Sequence, residues 1–186
     1  MALEKAMTLF WTNGYSGTSL TDLTTTMGIN KPSLYLAFGN KEDLFRQTLD
    51  LYVQKHGRGH AVFLQEHGKS LAEKMQNYLL SIAEGTTNPN LPSGCFVCST
   101  TCELGSIYLP PEAITLLEKI NEVTKITLQE FFKEEQVKGN LPMEKSPLTV
   151  ANYYLTIQFG LAVMARSGAS FDELKELIKL SGSQVL

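Results

Sequence analysis

What most constrains this chain is its punctuation. Apolar residues recur at helical spacing in one segment after another, most segments open on a capping residue or a proline, and several close on glycine. No stretch holds the alternation of a strand. Ala2 to Asn13 sets Leu3, Ala6, Met7 and Phe10 on one stripe and stops at Gly14. Ser19 to Asp22 reads as a capping box for a short helix that ends at Met27-Gly28. Asn30-Lys31-Pro32-Ser33 opens a third helix, with Pro32 tolerated in its first turn, ending at Phe38-Gly39. Asn40 caps a fourth, running toward Gly57, and residues 69–84 form a fifth. The stretch from Thr86 to Gly94, with Pro89 and Pro92, is a loop. A sixth helix carries the cysteines, Pro110-Pro111 start a seventh reaching about Val137, and Lys138 to Ser146 is a second loop. Ser146-Pro147 caps an apolar eighth, and Ser170 to Glu173 caps the last. The expected fold is all-α with about nine helices.

The chain has 186 residues, 43% hydrophobic and 19% charged, enough to bury a core. No uninterrupted apolar run approaches the ~20 residues that cross a bilayer, and no secretory signal opens the sequence, so a cytoplasmic protein without a membrane partner is the expectation. Three cysteines within eight residues, an odd number, argue against a disulfide framework. No HExxH, phosphate loop or GxSxG is present, so neither an enzyme nor a cofactor is implied. His56 and His60 can share a helix face, but Gly57 and Gly59 surround them and a solvated surface pair is the expectation.

The second and third segments, joined by Gly28-Ile29-Asn30, have the length and turn chemistry of a helix-turn-helix. Leu20, Leu23, Met27, Ile29, Leu34 and Phe38 are expected to point inward, leaving Thr21, Lys31, Pro32, Ser33 and Leu36 outward. Ser33 can bond a base edge, Lys31 a phosphate or guanine, and Leu36 can touch a thymine methyl. Lys41 opposes the macrodipole at the start of its helix, which points to a phosphate there. Charge alone does not suggest DNA. Net charge is −3, and residues 1–56 carry five bases against five acids. An interaction module that binds protein through its helix-turn-helix is the alternative.

Gly14-Tyr15, Thr18-Ser19-Leu20, Leu23, Met27-Gly28-Ile29, Lys31 to Tyr35, Phe38 and Lys41 to Phe45 resemble the signature of the TetR family of ligand-responsive repressors. The resemblance implies a DNA-binding domain over 1–46 and an effector-binding and dimerisation domain over 47–186. It implies base contacts from Thr21, Lys31, Pro32, Ser33 and Leu36, and phosphate contacts from Thr18 or Ser19, Tyr35 and Lys41. Ala37 departs from it, standing where members often have an aromatic residue or His. Members usually carry a basic arm ahead of the first helix, whereas this sequence opens at Met1; a shortened sequence would account for the neutral head.

One recognition helix reads too few base pairs, so two copies are required. The pattern of the apolar last two helices fits plain core packing as well as a dimer face, and the resemblance implies that they form the homodimer face. The resemblance implies that Phe63, Met75, Tyr78, Phe96, Tyr108, Phe131 and Met164 line the pocket of a small apolar effector, although residues of this kind more often fill core. Cys95, Cys98 and Cys102, at i, i+3, i+7 spacing, read as packing residues or as a thiol sensor. A metal site would need a further ligand, and none lies nearby.

Overall fold

The computed structural model describes residues 1–185, with side chains through Ser181. Among the described residues nine α-helices follow one another: α1 (Ala2–Asn13), α2 (Leu20–Met27), α3 (Lys31–Phe38), α4 (Lys41–Tyr52), α5 (Leu71–Thr86), α6 (Phe96–Thr101), α7 (Pro111–Val137), α8 (Pro147–Arg166) and α9 (Phe171–Val185). There is no strand among the described residues. A π-turn (Val53–Gly57) and a 3₁₀ segment (Gly59–Gln65) join α4 to α5, where the sequence pattern suggested a longer fourth helix. The expected boundary at 46/47 falls inside α4, which crosses it unbroken.

Local chemistry sets most helix starts. Ser19, Asn30, Asn40, Ser70, Cys95 and Ser146 each accept a first-turn backbone N–H through the side chain, satisfying a donor the helix leaves free. The core divides into two clusters. One is built on Phe10, Trp11, Leu23, Leu34, Leu44, Phe45 and Leu49, and it continues into Phe96, Leu109, Ala113 and Leu117 of the α6–α7 region. The other packs α5, the far half of α7, α8 and α9 around Leu79, Phe132 and Tyr154. The small N-terminal head therefore shares a core with the α6–α7 part of the body.

Helix α8 corrects one expectation. By length and composition it could cross a membrane, with a mean hydropathy of 1.3. Asn152, Thr156 and Gln158 interrupt its apolar run, which hid it from a count of consecutive residues. Val150, Ala151, Tyr154, Leu161, Ala162 and Ala165 are buried on its inner side, packed on α5, α6, α7 and α9. Gly160, Val163 and Met164 are exposed, as are Leu177 and Leu180 on α9.

Candidate functional site

The head is a bihelical reading unit held from behind. Asp22 and Ser19 cap each other: the Asp22 N–H donates to Ser19 Oγ at 3.1 Å, and the Ser19 N–H and hydroxyl donate to Asp22 Oδ2 at 2.9 and 2.6 Å. The hydroxyl hydrogen bond and then the backbone one hold the Asp22 carboxyl below its usual range. Gly28 closes α2 in the left-handed region at φ 73°, ψ 34°. A Cβ there would meet nothing within 4 Å, so the backbone conformation and not crowding calls for glycine. Asn30 then caps α3, its Oδ1 accepting from the Ser33 N–H at 2.9 Å.

Only Leu34 of α3 is fully buried, with Phe38 half-buried beside it. Lys31, Pro32 and Ser33 stand free in the first turn, Leu36 is 91% exposed and Tyr35 48% exposed. Thr21 is exposed on α2. This surface is narrow, uncharged apart from Lys31, and carried on a helix anchored by a single leucine. Its shape suits a major groove.

Three residues with expected phosphate roles sit differently from one another. Thr18 is buried at 1% exposure, and its hydroxyl donates to the Gly14 carbonyl at 2.8 Å, bracing the turn between α1 and α2. Ser19 is at the surface, with its hydroxyl proton committed to Asp22. Lys41 has an internal partner: its Nζ donates to the Tyr15 carbonyl at 2.8 Å and lies 4.1 Å from the centroid of the Tyr15 ring. Asn40 and Asp43 already cap that helix reciprocally. The unfavourable placement of a cation at the start of α4 is thus offset within the chain, and burial lowers the lysine pKa.

Behind the head lies a cavity of about 1110 Å³. Trp11 of α1, Tyr52 of α4, His56 of the π-turn and His60 of the 3₁₀ segment form the wall nearest the head. Tyr78 and Ile82 of α5, Cys95 and Cys98, Leu128 of α7, and Leu155, Gln158 and Phe159 of α8 also line it, and Glu118, Lys119, Asn121, Glu122 and Lys125 of α7 border it. The Tyr78 hydroxyl donates to Gln158 Oε1 at 2.8 Å, and His60 Nδ1 lies 2.9 Å from the Ser81 hydroxyl. The Trp11 ring packs edge-on against Tyr52 at 4.9 Å and lies tilted against His56 at 5.8 Å, and its buried Nε1 has no hydrogen-bond partner among the described residues. The histidines are therefore not a solvated surface pair. Burial lowers both pKa values, so each favours the neutral ring.

Of the seven expected lining residues, the cavity includes Tyr78. Met75 and Phe131 are buried in the body core, and Phe63 packs half-buried against it. Phe96 fills the other cluster between Phe45 and Tyr52, at 5.7 and 5.8 Å. Tyr108 is 67% exposed in the turn before α7, and Met164 is 40% exposed on α8. Met75, Phe96 and Phe131 went to closing the cores, and the aromatic rings that face the space are Trp11, Tyr52, Tyr78 and Phe159. Periodicity gave no sign of Trp11, Tyr52 or the histidines as lining residues, because they meet only when α1 and α4 pack.

The cysteines sit on and at the two ends of α6, which is only six residues long. Cys95 is its N-cap, half-buried, its Sγ accepting from the Cys98 N–H at 3.5 Å. Cys98 is buried, and Cys102 at the C-cap is exposed. Burial pushes the Cys98 thiol up to about 12, with the neighbouring Cys95 and Cys102 adding to the shift, and burial raises Cys95 as well.

A helix-turn-helix presented by a small head, on a helical body with its own cavity, defines a DNA-binding regulator. The comparisons make the class specific. The family model for "Bacterial regulatory proteins, tetR family" matches residues 2–48. The HTH-type transcriptional repressor ComR of Escherichia coli K12 is 34% identical over 176 residues, covering 95% of this chain and 83% of its own. The TetR family regulator CifR, solved as a cysteine mutant with 26-bp double-strand operator DNA, superposes with a TM-score of 0.84 at 30% identity over 98% of this chain and 94% of that one. A putative TetR regulator from Rhodococcus sp. RHA1 matches at 35% identity with a TM-score of 0.66, over 99% of this chain and 97% of its own. The chain belongs to the TetR family and is a DNA-binding transcriptional regulator.

Proposed function

We propose that the protein is a homodimeric repressor that holds a pseudo-palindromic operator through two copies of α3 and leaves it when a small, mainly apolar molecule occupies the cavity. The observation that carries this reading is the α3 surface. Lys31, Pro32, Ser33, Tyr35 and Leu36 are exposed together on a helix that Leu34 and the Asn30 cap hold at a fixed angle. Thr21 and Ser19 flank it on α2. The operator complexes of CifR, a relative of the same fold, support the same use of this surface.

The exposed apolar residues of α8 and α9, with Gly160 among them, favour these helices as the dimer face. Release follows from differential affinity: a ligand that binds better when the heads are misplaced for the operator draws the population there. Thiol modification is a second route to the same shift, supported by Cys95 and Cys98 lying on the cavity wall and Cys102 at the surface beside them.

The test is selection from random duplex DNA by the purified protein, with its mass in solution determined by light scattering. The reading predicts a dimer and an enriched pseudo-palindrome. Val163→Glu, on the exposed side of α8, is expected to give monomers and to lose the palindrome. A monomeric parent, or no enriched sequence, would refute it.

A further inference from the structure

Arg166 closes α8, and its guanidinium leaves the body to hold the head. Nη1 donates to the Trp11 carbonyl at 2.9 Å and to the Ser93 carbonyl at 3.4 Å, and Nη2 donates to the Thr12 carbonyl at 2.7 Å. Trp11 and Thr12 are in the last turn of α1, where carbonyls lack helical partners and the macrodipole is negative. One planar fork thus satisfies the end of a head helix 154 residues away and also grips the loop ahead of α6. The junction is close-packed: a Cβ on Gly94 (φ +85°) would lie 3.0 Å from the Ala162 carbonyl and 3.1 Å from Arg166 Cβ.

The three elements joined here all border the cavity. Cys95 follows Gly94 directly and Cys98 lies three residues further on, the Cys98 thiol is 3.9 Å from the Phe159 carbonyl of α8, and Trp11, whose carbonyl Arg166 holds, lines the same space. Among the described residues no other side-chain hydrogen bond between α8 and α1 is seen.

We propose that Arg166 is a positioning residue for operator binding: it fixes the angle of the head on the body, and so the separation of the two recognition helices in the dimer. The inference rests on the dimeric DNA-binding reading above. Arg166 is itself exposed, and its partners are backbone carbonyls of two other elements, so its bonds set their relative geometry. It touches no base in this account. A residue of this kind controls which half-site spacing is accepted and leaves the affinity of one head for one half-site unchanged.

The experiment uses the full chain and duplexes bearing the selected half-sites at their selected separation, at separations one or two base pairs longer and shorter, and as a single half-site. The parent is expected to prefer its own spacing. Arg166→Met is expected to fold, to bind the single half-site within about twofold of the parent, and to reduce the spacing preference by a factor on the order of ten. Arg166→Lys, which reaches one carbonyl in place of the fork, is expected to fall between. Melting curves taken alongside identify the folded variants, and Arg166→Lys decides the question where Arg166→Met melts early. An unchanged spacing profile in the folded variants overturns the proposal. So does equal loss on every duplex including the half-site, which marks mere support of the head. A parent that binds no duplex overturns the DNA reading and this proposal with it, an outcome distinguishable because it precedes any comparison of variants.

Discussion

Glu135 is fully buried near the end of α7, and its carboxylate accepts from Lys74 Nζ at 3.1 Å, Lys138 Nζ at 2.9 Å and Asn140 Nδ2 at 2.6 Å. Lys74 on α5 is itself buried at 9% exposure. Glu135→Ala removes the anion and strands the Lys74 ammonium, a loss of about 3–5 kcal/mol for a buried pair broken on one side. At about 2–4 °C per kcal/mol for a chain of this size, the melting temperature should fall by roughly 6–20 °C. The control is Lys74→Met with Glu135→Leu, which replaces both charges with apolar volume and should recover most of that loss. Calorimetric melting at pH 7 and a fixed protomer concentration measures all the variants, since assembly makes melting concentration-dependent. Glu135→Ala within 2 °C of the parent, or a double variant worse than the single, would show that the pair does not carry the α5–α7 packing. The pH dependence has a definite sign. Burial pushes the Glu135 carboxyl up, but hydrogen bonds from Lys138, Asn140 and Lys74 outweigh it and leave the pKa below its ordinary 4.5. Its contribution is present above that value and is lost as pH falls through the lower folded-state pKa.

Three further outcomes follow from particular side chains. Burial lowers the His60 and His56 pKa values below 6.5, so their contribution to stability is complete above pH 6.5 and declines as pH falls through the folded values; His60→Gln should flatten the urea midpoint between pH 5 and 7, and an unaltered slope would count against it. Cys102, exposed, should be alkylated by iodoacetamide at pH 8 well before Cys98, whose thiol burial pushes up to about 12; equal rates by peptide mass spectrometry would contradict the buried placement. Thr18→Val should cost about 1 kcal/mol in urea unfolding by removing the bond to the Gly14 carbonyl, while leaving the operator affinity of the folded protein nearly unchanged. A selective loss of affinity there would restore Thr18 to the DNA surface.

The head was readable because its determinants are local. Ser19, Asn30 and Asn40 cap within three residues, Gly28 turns the chain by itself, and the apolar spacing of Leu23, Met27 and Leu34 marks the inward face. Lys41 shows the limit of local reasoning. Its conflict with the helix dipole was visible in sequence, but the resolution, a carbonyl and a ring 26 residues earlier, depends on how α1 meets α4. The cavity was hidden for the same reason. It lies where residues from α1, α4, α5, α6, α7 and α8 fail to fill space, and no single helix records that. Phe96 and Phe131 are as aromatic as Tyr78 yet pack solidly, because their neighbours Phe45, Tyr52 and Phe132 close around them. Arg166 carries no periodic signal, since its partners are backbone carbonyls.

Everything proposed for this protein depends on the exposed face of α3 reading DNA. The most direct measurement is a fluorescence anisotropy titration of the selected duplex and a scrambled one, across a series of salt concentrations, with the parent, Lys31→Ala and Ser33→Ala. The parent is expected to favour the selected duplex, with an affinity that falls steeply with salt. Lys31→Ala should weaken binding with a shallower salt slope, and Ser33→Ala should lose about 1–3 kcal/mol of discrimination. Parent and variants with the same affinity for both duplexes would contradict it.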